Sequence, residues 1–381
     1  MLLLMLTLAM LALTIAAGAV SYSTVAFLKG GGVGDGSSPE QACGTYTDAF
    51  EALDLSKDCT IVVCGPVTQT KAYNYGKEYT GSVTFTSVYD GVDYRESGAV
   101  LHVGEARFVC CGETRFENID IDVTKNWWYL IAGHHPLTMG EGIRVTGEKL
   151  TGGNFSKSVA ILGGYQAGVN KPPLQDDSDV NITILSGRMY YIIPFNRGMA
   201  GTYMGTANIY IGGDAEIGTL HGSSEFDGSA VGKLKVTLTD NASIGAFYGG
   251  TADVTLESVE FNWISGSIGD VFDWSCRYIP KKKLTIEGET TLIASEKAQR
   301  RSNFATIAAM FDKVEKAGET VPVATKPEVK TEYGCAVGLY NLGLAQGYDA
   351  TGTNFGLTDK MTRAQTVVQV IRFLGKEAEV K

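Results

Sequence analysis

Asn181-Ile-Thr-Ile184, Asn208-Ile-Tyr-Ile211, Lys235-Val-Thr-Leu238, Asp253-Val-Thr-Leu256 and Lys283-Leu-Thr-Ile286 are five versions of one phrase, a polar opening followed by apolar, polar, apolar. Their starts lie 27, 27, 18 and 30 residues apart, the length of one supersecondary unit. A second phrase keeps step: Asp214-Ala-Glu-Ile217-Gly218 and Asp240-Asn-Ala-Ser-Ile244-Gly245 place Ile and Gly 27 apart. Each unit therefore holds at least two strands. Period-2 alternation sends Ile182, Ile209, Val236, Val254 and Leu284 one way and Thr183, Tyr210, Thr237, Thr255 and Thr285 the other. The first set is expected to form one buried ladder. A single unit cannot bury that face alone, whereas coils stacked at the inter-strand distance of about 4.8 Å make a continuous core.

These residues resemble the right-handed parallel β-helix (pectate-lyase-like) proteins, over residues 23 to about 294. The resemblance implies an all-β, right-handed, single-stranded parallel β-helix. It says little about function, because that fold carries lyases, hydrolases, fibres and inert adhesins alike.

Composition agrees with a turn-dense β architecture, with 47 Gly against 9 Pro in 381 residues. The formal net charge of −10 argues against nucleic acid or anionic lipid as partner. Seven cysteines (Cys43, Cys59, Cys64, Cys110, Cys111, Cys276, Cys335) are too few and scattered for a disulfide-dense scaffold, and no CxxC spacing points to zinc. Cys110 and Cys111 would face opposite ways on a strand, so only one is expected to be buried.

Residues 1–19 are apolar throughout and end in Ala17-Gly18-Ala19, which reads as a secretory signal although it lacks a basic start. An uncleaved membrane anchor is the other reading of that segment. Residues 20–58 hold a strand (Val25–Leu28), the loop Gly30-Gly-Gly-Val-Gly-Asp-Gly-Ser-Ser38 and a short amphipathic piece at 47–53, similar to the opening cap of secreted β-helix proteins. Residues 59–294 carry the coils, the early strand candidates being 61–63, 82–85, 100–103, 107–110, 116–123 and 129–131. Residues 171–177 read as an excursion loop. Residues 295–330 form a helical cap, with Phe304, Ile307, Ala308 and Phe311 on one face, and a linker.

Residues 331–381 change grammar. Ala336-Val-Gly-Leu339-Tyr-Asn-Leu342-Gly343-Leu344-Ala-Gln-Gly347-Tyr348, then Phe355 and Met361-Thr362-Arg363-Ala364-Gln365, resemble an S-layer homology repeat, a small α-helical unit. That family anchors proteins non-covalently to the secondary polysaccharide of Gram-positive-type cell walls. The resemblance implies that Arg363 contacts the polysaccharide, with Gln365 standing where the motif has glutamate. Thr362 suits a helix N-cap, and a guanidinium matches carboxylate-bearing glycans through bidentate bonds. One repeat is visible before Lys381 where three are usual, so the expectation is one member of a longer array, with avidity supplied by the others.

A lyase on this scaffold would need clustered carboxylates and a neighbouring base on one exposed face. The candidates are Asp120 and Asp122, which alternate onto one side of a strand, with Arg107 and Arg115 about one coil away. Solvent-facing acids on such a strand need no function. His134-His135 read as turn residues rather than metal ligands. Trp127, Trp128, Tyr190, Tyr191, Tyr203, Tyr210, Phe247 and Tyr248 are candidate sugar-stacking rings, about half of them expected inside.

The sequence thus leads to an exported, non-enzymatic cell-surface protein without cofactor or bound metal. Its β-helix would act as stalk or adhesin towards host or dietary glycans, and its last repeat would hold cell-wall polysaccharide. The alternative is a wall-anchored polysaccharide lyase or glycoside hydrolase acting on acidic glycans.

Overall fold

A computed structural model describes residues 22–321 apart from 105, 125–126, 147–157, 167–174, 177, 198–201, 204, 225–228, 231, 251–253, 277–283 and 317–318. The chain is an all-β parallel solenoid of about seven turns. The expected signal segment and the whole S-layer-like stretch, with Thr362, Arg363 and Gln365, lie outside the described residues.

Sheet A has twelve strands and runs from Val25–Leu28 to Glu319–Val321, and sheet B has eight, from Tyr73–Asn74 to Ser267–Cys276. Sheet C holds Pro66–Thr68, Val100–Val103, Asp120–Val123 and Arg144–Thr146. In these early coils the chain passes from A to C to B and turns directly back to A. From Val180–Ile184 onward it passes from A straight to B, and short strands appear instead between B and A: Gln175–Asp176, Thr202–Tyr203 and Ser229–Ala230 in one sheet, Val254–Leu256 and Leu284–Ile286 in another. The third side of the solenoid therefore changes corner midway.

The ladder read from the sequence is real over its first three rungs. Ile182, Ile209 and Val236 pair in register on sheet A and are at most 2% exposed. Val254 and Leu284 do not continue it: they pair with each other on the late third side. The ladder on sheet A goes on through Phe261 and Leu292. The 18-residue step to Asp253 is two-thirds of a coil, which lands the phrase on another face. The second phrase does hold, with Ile217 paired to Ile244 on sheet B.

Corners depend on local backbone chemistry. The run 116–123 divides into strands Glu113–Glu117 and Asp120–Val123 because Asn118 takes φ +46°, a conformation that asparagine tolerates. Gly213, at φ +59°, sits so close to the Leu185 carbonyl that any Cβ there would collide with it. Cys110 and Cys111 are both buried, against expectation, because the strand ends at Val109 and they form the turn back to sheet A.

Both ends of the barrel are plugged. At the N-terminal end the helix Tyr46–Glu51 begins at Thr45, whose hydroxyl accepts from Asp48 N (3.2 Å) and donates to the Asp48 carboxylate (2.7 Å). It lays Tyr46, Ala49 and Phe50 over the first coil, and Tyr46 and Phe50 pack against Tyr73 and Phe85. At the other end two short helices, Glu296–Gln299 and Phe304–Ala308, form the expected helical cap, and within the stretch read as cap and linker Lys313–Lys316 and Glu319–Val321 are instead strands of sheet A. Phe304, Ile307, Ala308 and Phe311 are all buried.

Candidate functional site

Sheet C carries the carboxylates singled out in the sequence. Alternation buries Ile119, Ile121 and Val123 and turns Asp120 and Asp122 outward. Register then decides their partners. Asp120 lies opposite Arg144, which donates to both its oxygens, Nε to Oδ1 at 2.7 Å and Nη2 to Oδ2 at 2.8 Å. Asp122 lies between His102 and Thr146: its Oδ2 is 2.9 Å from His102 Nδ1, and its Oδ1 accepts the Thr146 hydroxyl at 2.8 Å. Nearby, Arg95 grips Asp93 with Nε and Nη2 and donates to the Gly142 carbonyl, and this guanidinium holds the Asp93 carboxyl below its usual range.

The two expected arginines are elsewhere. Arg107 is on sheet B, donating to Gln166 Oε1 at 3.1 Å, and Arg115 is on sheet A, clasping Glu113 at 2.7 Å. The four candidates therefore occupy three sheets and do not converge on one groove. Chemically, a histidine held by a carboxylate can move protons. Here the Thr146 hydroxyl bonds the carboxylate rather than the imidazole, so it is not a nucleophile activated by His102. Among the described residues no three His, Cys, Asp or Glu side chains gather as a metal site.

Other acids serve the stacking of coils. Asp58 Oδ1 accepts the backbone N–H and hydroxyl of Ser82, Asp179 Oδ1 accepts Thr206 N, and Asp240 Oδ2 accepts Gly213 N, each from a different coil. These are corner caps that satisfy amides left over by the strand ladders.

The outer face of sheet A differs. Two stripes run across successive coils there: Asn181, Asn208, Lys235 and Glu260, and beside them Thr183, Tyr210, Thr237 and Asn262. They line a shallow groove of about 220 Å³. Asn208 Nδ2 donates to Asn181 Oδ1 (3.1 Å), Lys235 Nζ is 3.4 Å from Glu260 Oε1, and Asn262 Nδ2 donates to the same oxygen at 2.9 Å. Tyr210 stands 40% exposed between the two threonines.

The remaining aromatic candidates divide. Trp128 and Phe247 are wholly buried in the core, while Tyr191 is buried on the outer side of sheet B with Tyr129, Ile131, Leu162 and Ile193. There the Tyr129 and Tyr191 hydroxyls hydrogen-bond, Arg197 lies over the Tyr129 ring at 4.9 Å, and His221 stacks on Tyr191 at 5.5 Å. The side chains of Trp127 and Tyr203 lie outside the described residues. His134 occupies a turn at φ +69°, stacked on Tyr165 at 4.6 Å.

Comparison of the chain with protein-family models, with curated proteins and with solved structures finds no match.

Proposed function

We propose that this protein is a non-enzymatic cell-surface scaffold: a right-handed β-helix that is exported, is held at the cell wall by its C-terminal repeat, and offers its outer faces to glycans. The observation that carries the scaffold reading is how the outward acids are used. Asp120, Asp122, Glu113 and Glu260 are each bound to a side chain on their own strand or on the next coil, and Asp58 and Asp179 cap the amides of a different coil. Those that cross from one coil to the next hold a solenoid in register, and those within one strand leave the acid engaged. A lyase or hydrolase needs instead two polar groups aimed at one point in space, and Asp120, Asp122, Arg107 and Arg115 are not so arranged.

Wall attachment rests on the S-layer-like sequence at 331–381, with Arg363 as the group that meets the polysaccharide. It is tested by pull-down of the full chain and its Arg363→Ala variant on purified Gram-positive sacculi, with and without their secondary polysaccharide. The expected outcome is retention that needs both the polysaccharide and Arg363. Equal retention on stripped sacculi, or undiminished retention of the variant, overturns the anchoring role.

A further inference from the structure

We propose that the groove on the outer face of sheet A, centred on Tyr210, binds a segment of uncharged polysaccharide. This deepens the reading of the solenoid as a glycan-presenting scaffold, and rests on it.

The first argument is what the fold itself asks for at this position. Following the register of sheet A, the outward stripe reads Thr60, Thr84, Arg115, Thr138, Thr183, Tyr210, Thr237. Threonine suits an exposed strand position, being β-branched and wettable. Coil stacking alone is thus satisfied by threonine on either side of Tyr210. The ring is extra apolar surface set between two short side chains, where one of its faces can be covered by the apolar face of a sugar.

The second argument is the seat of the ring. A Cβ on Gly212 would come within 2.9 Å of Tyr210 Cε1. The ring therefore lies against a residue with no side chain, in space that any other residue would fill. An aromatic anchored in this way before the ligand arrives loses little freedom on binding.

The third argument fixes the chemical class. The Asn208 to Asn181 bond leaves the amide hydrogens of Asn181 and the carbonyl oxygen of Asn208 for a ligand, and Asn262 keeps its carbonyl oxygen. Mixed donors and acceptors of this kind match hydroxyl groups, which do both. Among the described residues, the cation lining the groove is Lys235, which is engaged by Glu260 at 3.4 Å, so it offers no uncompensated positive charge to a uronate or sulfate. The Lys235–Glu260 pair leaves no net charge of either sign, so the groove gains nothing from an acidic chain and suits a neutral one.

The test uses the full chain in affinity electrophoresis through gels containing a soluble glucan, mannan, galactan or xylan, with polygalacturonate as the acidic comparator. The variant is Tyr210→Thr, the residue of the flanking coils, and its thermal melt is matched to wild type first. The expected result is retardation by at least one neutral glycan, weakened about tenfold in the variant, with polygalacturonate weaker than the neutral chain. Retardation by none of the neutral glycans, equal retardation of wild type and variant, or stronger retention by polygalacturonate each overturns the proposal. Arg363→Ala separates the two readings. If it abolishes wall retention while neutral-glycan binding persists, both stand. Failure of wall retention alone removes the anchor and leaves the groove, and failure of glycan binding alone does the reverse.

Discussion

Phe261→Ala tests whether this solenoid is energetically one-dimensional. Phe261 is fully buried on sheet A, in register with Val236 and Leu292, and its ring centroid lies 5.8 Å from Phe272, 6.2 Å from Phe247 and 6.3 Å from Phe311. Burial of a phenylalanine removes roughly 150–250 Å² from water, which at about 25 cal/mol per Å² comes to about 4–6 kcal/mol. Measured Phe→Ala changes in cores cost about 3–5 kcal/mol, so about 4 kcal/mol is expected. In a fold where each coil touches only its neighbours, that loss stays near where it is made. Hydrogen exchange read peptide by peptide should show protection falling by up to about a thousand-fold in the strands from Lys233 to Lys316. The strands from Cys59 to Glu117 should change by only a few-fold. Phe85→Ala supplies the mirror image, since Phe85 is buried in the early coils and stacks on Phe116 at 4.9 Å. Uniform loss of protection along the whole chain in both variants would mean one cooperative unit, and would refute the nearest-neighbour argument.

The buried thiol of Cys110 and the paired carboxylate of Asp120 give three further outcomes. Burial pushes the Cys110 thiol up to about 12, so it should resist iodoacetamide at pH 8 and be labelled only on denaturation, as read by mass spectrometry; labelling of the native protein would contradict its placement. Because its folded value is raised, its contribution to stability is full below the unfolded thiol value near 8.5 and declines as pH climbs towards 12. Asp120→Ala should cost less than about 1 kcal/mol in a urea titration, since Arg144 is 62% exposed and is hydrated once released. A loss several times larger would mean that the pair is a major structural clamp, and loss of a glycan-cleaving activity in both Asp120→Ala and Asp122→Ala would return these carboxylates to a catalytic role.

What the sequence shows of this fold follows from strand length. The six-residue strands of sheet A, such as Thr206–Ile211 and Lys233–Leu238, span enough alternation to display an inner and an outer row, and their 27-residue spacing declares the coil. The two-residue strand Thr202–Tyr203 is too short to show such a pattern, and Val254–Leu256 carries the same alternation as the strands of sheet A, so only its 18-residue step marked the move to another face. The site was legible to the same degree. Asp120 and Asp122 could be placed on an outer face, but their partners Arg144, His102 and Thr146 lie 20 to 24 residues away, and only the register brings them together. A spacing of one coil between opposite charges was the signal available. Tyr210 stood among the aromatic candidates and, in the aligned phrases, between Thr183 and Thr237; the register bears out that outward row, whereas the burial of Trp128 and Phe247 needed the structure.

The change of corner also bears on where an extended ligand can lie. Sheet C ends at Arg144–Thr146 and the late third side begins at Gln175–Asp176, so neither offers a surface along the full axis. Sheet B runs through both halves, yet its outer side is closed over Ile131, Leu162 and Ile193, all fully buried. Sheet A alone among these combines twelve strands with an outer row of exposed or half-buried polar side chains from Thr60 to Asn262. Rungs there repeat at roughly 4.8 Å, so a polymer laid along the axis meets a new set of side chains at each coil. Lengthening the ligand from a disaccharide to a hexasaccharide should then tighten binding stepwise if it lies along the axis and extends beyond the Tyr210 coil to the amides of Asn181 and Asn262. A ligand crossing sheet A perpendicular to the axis would meet only one coil, and its affinity would stop rising once that coil was spanned.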